Sequence, residues 1–445
     1  MVELLERGLE VLAGARESER VEIVLARTRE RSAVAFEGEL EELTQAETVA
    51  VGVRVLVASR TGMATASSLE LAALRSALER ARENAALVEA DPDAVLAEPD
   101  GVPSVALELV DGDVLCSGVE ERIRAALELE RRARGIDPRV RQIERASAGD
   151  LASEVAIAST TGIATQVAST RAWLALQVVA SDGGPDANGF ASMAARGPAA
   201  LALDAVAAEA VARALRGLGA TKPTTQGVAV VFEPRCAASI LALWGQAASG
   251  LAVARRRSMF ADRVGERITP AWFGLIDDPT AASSLGASPV DGEGLATRPH
   301  TIIADGVLHE LLYDAYAARL AQRRSNGAAV RGVGSLPAPG ARALRVLAPR
   351  TPVERLVAKD TVLAVHSMSG LHSGTSSVSG AFSVGVEGVL WRDGQPIAAV
   401  REATVAGNLL AMARDLVAVG DDDRELPSGT RAASLLVDGL MLAGS

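Results

Sequence analysis

An α+β fold is predicted for this 445-residue chain by three observations. Strand hairpins that turn on Asp-Gly pairs are mixed with separate helices. The composition is 49% hydrophobic but only 3% aromatic, so the cores must be filled by Ala, Val and Leu, which favours helices packed tightly on sheets. The length allows two or three domains and more than one core.

The elements follow from local pattern. Leu4 to Ala13 reads as a short amphipathic helix closed by Gly14. Val21 to Phe36 alternates as strands do, with a turn at Glu37-Gly-Glu39, and a further strand spans Thr48 to Ser59. A turn is placed at Thr61-Gly62, and a helix from about Leu69 to Val88 ends before Asp91-Pro-Asp93. The same order then recurs: a helix over Gly118 to Arg134, then strands over Arg139 to Ala148 and Glu154 to Ser159. Ala158-Ser-Thr-Thr-Gly-Ile-Ala-Thr165 repeats Ala58-Ser-Arg-Thr-Gly-Met-Ala-Thr65, and a positive backbone angle at the glycine accounts for Thr-Gly in both. We read an internal repeat of about 1–100 and 101–222 inside an N-terminal α+β domain of residues 1–222. The second copy is extended by Trp173 to Ser181, a Gly/Asp/Pro loop and an Ala-rich helix over Ala199 to Leu215.

Residues 223–445 form the expected sheet-rich C-terminal domain. Gly227 to Pro234 is a strand passing directly into an Ala/Leu-rich helix, Arg235 to Ser249, stopped by Gly250. Hairpins turn on Asp305-Gly306 and Asp393-Gly394, with a helix over Asp314 to Arg323. Strands are expected at Ala343 to Leu347 and Thr361 to Ser367, then a Gly/Ser-rich run from Ser369 to Ser383. A helix over Ala406 to Val417 and a strand over Ala433 to Leu442 complete the pattern.

Bulk properties exclude several classes. Net charge is −11, from 45 basic and 56 acidic side chains, which argues against nucleic-acid binding. No apolar run reaches the roughly 20 residues a membrane-spanning helix needs. Met1-Val-Glu-Leu-Leu-Glu-Arg7 lacks the character of a secretory signal, and the two cysteines, Cys116 and Cys236, lie in unrelated contexts. A reduced, cytoplasmic protein is expected.

Several segments together resemble the TldD/TldE family of peptidases, also called PmbA or modulator of DNA gyrase. They are Gly227 to Pro234, Ser258 to Asp278, Asp291-Gly-Glu-Gly-Leu-Ala-Thr297, Gly306-Val-Leu308, Gly370-Leu-His-Ser-Gly374 with Ser379-Gly-Ala-Phe-Ser383, and Arg401-Glu-Ala-Thr-Val-Ala-Gly-Asn408. The resemblance implies an α+β N-terminal domain, a C-terminal domain with substantial sheet, and a dimer around an enclosed cavity. In the family's zinc-bearing subunit a His-Glu-x-x-x-His motif lies on the helix after Gly227 to Pro234, and a later cysteine completes the site. Aligned on Gly245, the two histidine positions correspond to Leu241 and Gln246 and the glutamate to Ala242; no cysteine follows Cys236. Zinc chemistry needs imidazole or thiolate ligands and a carboxylate base. The chain therefore resembles the TldE (PmbA) subunit. This implies no cofactor in this chain, zinc in a TldD-type partner, and peptide cleavage by the heterodimer.

Other chemistry is less well supported. His366 and His372, with Ser373 beside the second, are the candidate substrate contacts; the competing reading is a close-packed structural loop. A Ser/His hydrolase would need an acid such as Asp360 or Glu387, and no Gly-x-Ser-x-Gly elbow is present. Asp277, Asp278, Asp291 and Glu293 read as turn residues, and His300 and His309 as surface residues. Two alternatives stand beside the partner-subunit reading: a homodimeric peptide-binding scaffold without proteolysis, and an independent hydrolase using His372 and a nearby serine. A peptide could dock by adding a strand to an exposed sheet edge.

Overall fold

The computed structural model describes residues 2–444 as an α+β protein. Its N-terminal half runs α1 (Val2–Leu12), β1 (Glu19–Phe36), β2 (Glu39–Val57), β3 (Arg60–Ala66), α2 (Leu71–Leu87), α3 (Gly112–Cys116), α4 (Glu120–Arg134), β4 (Val140–Ser159), β5 (Ala164–Ala180), β6 (Ala187–Ala195) and α5 (Leu203–Gly217). The six strands form one antiparallel sheet in the order β3-β2-β1-β4-β5-β6.

Strand alternation divides the work of the two faces. Val21, Ile23 and Leu25 of β1 pack with Leu4 and Val11 of α1 and Leu74, Ala77 and Leu78 of α2. On the same face, Ala33 and Ala35 join Leu129 of α4 and Val206 and Ala210 of α5. These four helices thus cover one face. The other face, through Val24 and Ile157, packs against Leu295 and Val333 of the C-terminal half. Gly52 on β2 allows close approach there: a Cβ would lie 1.9 Å from the Val333 carbonyl oxygen.

The C-terminal half continues β7 (Gln226–Phe232), α6 (Pro234–Ala247), α7 (Gly250–Ala254), β8 (Gly274–Asp277), β9 (His300–Ala304), β10 (Val307–Leu308), α8 (Ala315–Leu320), β11 (Ala329–Val330), β12 (Ala338–Pro339), β13 (Leu344–Leu347), β14 (Arg350–Thr351) and α9 (Val353–Leu356). It ends with β15 (Val362–Ser369), α10 (Leu371–Gly374), β16 (Ala381–Arg392), β17 (Gln395–Asn408), α11 (Leu409–Arg414), β18 (Leu416–Gly420), β19 (Arg424–Glu425), β20 (Arg431–Ala432) and β21 (Leu435–Gly444). One sheet runs β14-β18-β21-β17-β16-β15-β7, and β21 also pairs with β7, so β7, β15, β16, β17 and β21 close into a ring. A second sheet is ordered β10-β9-β8-β13-β20-β19. Helix α6 lies in the core they share, with Trp244 buried edge-on against Phe273 at 6.1 Å. No helix among the described residues is long and apolar enough to cross a membrane.

Several local expectations change. Strand β2 starts at Glu39 rather than Thr48, because residues 39–47, though exposed, hold the ladder against β1. The two strands expected over 139–159 are one, β4, because Gly149 stays in register beneath the Trp173 ring, where a Cβ would come within 2.2 Å. The helix expected over 406–417 contracts to α11: β17 extends to Asn408, whose side chain caps the helix by accepting from Leu410 and Ala411 N–H. Gly250 does not end α6; it opens α7, and packs so closely on Tyr313 that a Cβ would sit 2.2 Å from the ring.

The octapeptide match also acquires a different meaning. Residues 58–65 lie at the β2–β3 hairpin, whereas 158–165 lie at the β4–β5 hairpin. In the sheet's two runs of helix, three strands and helix, these are the second hairpin of one run and the first of the other. Gly162 has the expected positive angle (φ 101°), but Gly62 sits inside β3, and the turn falls on Ala58 and Ser59 at φ 48° and 59°.

Candidate functional cleft

Helix α6 organises a cleft between the two halves. Its sequence suits a buried helix: Pro234 occupies the first turn, where no intrahelical N–H is needed, and Ala and Leu dominate the later turns. Cys236, Ile240, Leu241 and Trp244 face the core. Trp244 Nε1 donates to the Leu409 carbonyl at 3.2 Å, satisfying its one polar atom. Arg235, Ser239 and Ala242, at spacings of four and three, face outward into the cleft.

The opposite wall comes from β6 and α5, and the ends from β15, β16 and β19. The two connected pockets, of about 250 and 310 Å³, share Arg213, Arg235 and Ser239. Arg213 donates to the Phe190 carbonyl at 2.6 Å and lies 2.6 Å from Glu209 and 3.6 Å from Glu233. Arg424 grips Glu209 with both terminal nitrogens at 2.9 and 2.8 Å. Burial alone would raise the Glu209 pKa, but Arg424 and Arg213 outweigh it and hold the carboxyl below its ordinary value. The Arg235 guanidinium lies 4.4 Å above the Phe190 ring centre.

His366 enters this cleft from the β-bulge between Val365 and Ser367, and its Nδ1 has no partner among the described residues. Burial, with the charges of Arg216 and Arg213, pushes its pKa down to about 4, so the ring is neutral near pH 7. Burial and Glu233 push the Cys236 thiol up to about 12, which keeps it protonated and poorly nucleophilic. Glu387 also lines the cleft, yet no hydrogen bond joins it to His366 among the described residues. The arrangement is suited to holding acidic or backbone carbonyl groups through arginine. Ser239 Oγ, which also lines the cleft, donates to the Arg235 carbonyl at 3.3 Å.

The sequence-based candidates separate in space. His372 and Ser373 sit exposed on α10, and Ser373 Oγ donates to the Gly370 carbonyl at 3.3 Å. Neither lines this cleft. Asp360 lies elsewhere, beside Lys359 and Asp438. His300 is buried rather than superficial, its Nδ1 3.3 Å from Glu310, because β8 and the segment after β10 cover it. His309 is exposed. Asp277 accepts from Arg342 and Ala343 N–H, and Asp291 from Glu293, Leu295 and Ala329 N–H, so both are structural acceptors. Sequence reading missed Arg213, Arg235 and Arg424. Only the Arg235 and Ser239 spacing of four on α6 could have signalled a polar stripe.

At the positions aligned to a zinc motif, Leu241 is fully buried in the core, Ala242 lines the cleft and Gln246 is exposed. Leu and Ala have no donor atom, and among the described residues no three His, Cys, Asp or Glu side chains converge in a metal-holding group. This donor set does not fit a zinc ion.

Three family models match the chain: the PmbA/TldA metallopeptidase C-terminal domain at residues 225–444, domain 1 at 21–85 and the central domain at 113–218. The chain is 28% identical over 327 residues to the metalloprotease PmbA of Escherichia coli O157:H7, covering 73% of this chain and 70% of that protein. It is 28% identical over 228 residues to a metalloprotease PmbA homolog of Haemophilus influenzae, covering 51% of this chain and 48% of that one. The crystal structure of TldE from Thermococcus kodakarensis superposes with a TM-score of 0.88 at 20% identity, covering all of both chains, a likeness of fold.

Proposed function

The chain belongs to the PmbA/TldD metallopeptidase family, and we propose that it acts there as a metal-free, TldE-like subunit of a heterodimeric zinc peptidase. In this reading a TldD-type partner carries the zinc and the cleavage chemistry. The present chain contributes cavity wall and substrate contacts, and the pair cleaves peptides or unfolded segments in the cytoplasm.

The observation that carries the reading is the outward face of α6. It offers Arg235, Ser239 and Ala242 to the cleft, while of the positions aligned to zinc ligands and base Ala242 has no donor atom and Leu241 is sealed into the core. Conversion of Leu241 to a ligand position would require turning a fully buried side chain out of a packed cluster. The neutral His366 and the protonated Cys236 thiol also favour binding over bond cleavage. Arg235, stacked on Phe190 and free of an ion pair among the described residues, is a fitting contact for an acidic side chain or carbonyl of an extended peptide.

A peptidase assay with metal quantification tests this. The purified chain is expected to be inactive and free of zinc, and to become part of an active, zinc-containing complex when mixed with a TldD-type chain. Stoichiometric zinc, or chelator-sensitive cleavage by the isolated chain, would overturn the reading. Chelator-insensitive cleavage abolished by His372→Ala would favour an independent hydrolase instead.

A further inference from the structure

A second cavity, of about 580 Å³, lies where the helix-free face of the N-terminal sheet meets loops of the C-terminal half. Its floor is apolar, formed by Val24 of β1, Val155 and Ile157 of β4 and Val167 of β5. Its charged lining is unbalanced: Arg171, Arg196, Arg331 and Arg342 against a single acid, Asp291. Both Asp291 oxygens already accept backbone N–H groups, from Glu293, Leu295 and Ala329.

The arginines are under-used. Arg171 donates to the Pro427 and Leu285 carbonyls, and Arg196 to the Ser284 carbonyl at 2.7 Å. Neither forms an ion pair among the described residues. Glu425 is the acid whose field reaches both, while its carboxylate accepts from Ser284 Oγ and Leu285 N–H. The Arg331 side chain is only 4% exposed and uses Nη1 on Glu22; its Nε and Nη2 have no partner among the described residues. The Nε atoms of Arg196 and Arg342 are likewise unpartnered there. Burial pushes the guanidinium pKa of Arg171, Arg196 and Arg342 down, outweighing the opposing fields of Glu425 on the first two and of Asp291 and Asp277 on the third.

We propose that this cavity binds a small amphiphilic anion, an oxyanion of the carboxylate or phosphate class carried on a short apolar body. Guanidinium groups match such oxyanions in charge and fork geometry, and the Val and Ile floor takes the apolar part. The volume falls within the roughly 300–1,000 Å³ typical of small-molecule sites. The inference does not rest on the proposed partnership, because binding is read on this chain alone.

Calorimetric titration of the full-length chain with N-acetyl-Val-Leu, its C-terminal amide and inorganic phosphate tests it. The free acid should bind at least tenfold more tightly than the amide. Arg196→Gln should weaken the acid at least tenfold, and Ser169→Trp, which fills the cavity without removing a guanidinium, should abolish binding. Tight binding of phosphate with weak binding of the acid would support the oxyanion site and assign it to phosphate carriers. Equal affinity for acid and amide, or no heat from either the acid or phosphate with the folded chain, would overturn the proposal. Should Arg196→Gln fail to fold by circular dichroism, the acid–amide comparison and Ser169→Trp still decide.

Discussion

Glu293 is fully buried; its Oε2 accepts from the Ala315 N–H at 2.8 Å, and its Oε1 has no partner among the described residues. Burial, then the charges of Asp291 and Asp314, push its pKa from 4.5 up to about 8. Burial also raises Asp314 to about 6. A raised acid pKa means that the folded state binds a proton which the unfolded state has released. The associated stability is fully present below the ordinary value of 4.5 and is lost as pH rises through about 8. Urea denaturation at pH 5, 6.5 and 8 should therefore show the parent weakening with pH over this window, and Glu293→Gln weakening less. An unchanged slope in the variant would assign the pH dependence elsewhere.

At the scale of elements, two glycines in similar octapeptides are held for different reasons. At Gly62 a Cβ would lie 2.0 Å from the Ala81 carbonyl oxygen and 2.3 Å from the Ala85 nitrogen, so β3 could no longer lie against α2. At Gly162 the atom nearest to such a Cβ is 3.7 Å away, and only the positive φ resists a side chain. Gly62→Ala is expected to cost about 3 kcal/mol, the upper end of overpacking effects, and Gly162→Ala about 1 kcal/mol. Thermal denaturation of both variants checks the order; a larger loss at Gly162 would contradict the packing account. The two substitutions separate a contact across layers from a local backbone preference.

For the whole molecule, the junction of the two halves depends on a buried charge group. Glu22 on β1, Arg54 on β2 and Arg331 from the C-terminal half have side chains 2%, 5% and 4% exposed. Glu22 accepts from both arginines, joining positions 309 residues apart in the chain. Removing the shared anion leaves two buried cations without it, so Glu22→Gln should destabilise by about 3–5 kcal/mol. Urea titration measures this, and a loss below about 1 kcal/mol would mean that apolar contacts through Val24 and Leu295 carry the junction. The same junction bounds the arginine-lined cavity, so its packing also shapes that site.

By itself the sequence determined the features whose causes are local. The passage from β7 into α6 follows from an apolar run meeting Pro234 and an Ala/Leu stretch. The hairpins at Asp305-Gly306 and Asp393-Gly394 follow from residues that tolerate positive φ, observed at 48° and 79°, and at 50° and 76°. The missing ligand atoms at Leu241 and Ala242 are likewise legible without coordinates. Of the three candidate contacts, His366 reaches the cleft, whereas His372 and Ser373 do not line it. The cleft's arginines, Arg213, Arg235 and Arg424, come from α5, α6 and β19, and no spacing in the chain could place them together. Burial of His300 and the full lengths of β2 and β4 were equally hidden, since each depends on a neighbouring strand or covering segment. Backbone preference acts over a few residues and is written locally; burial, ladder pairing and the pKa values they set arise only when distant segments exclude water from one another.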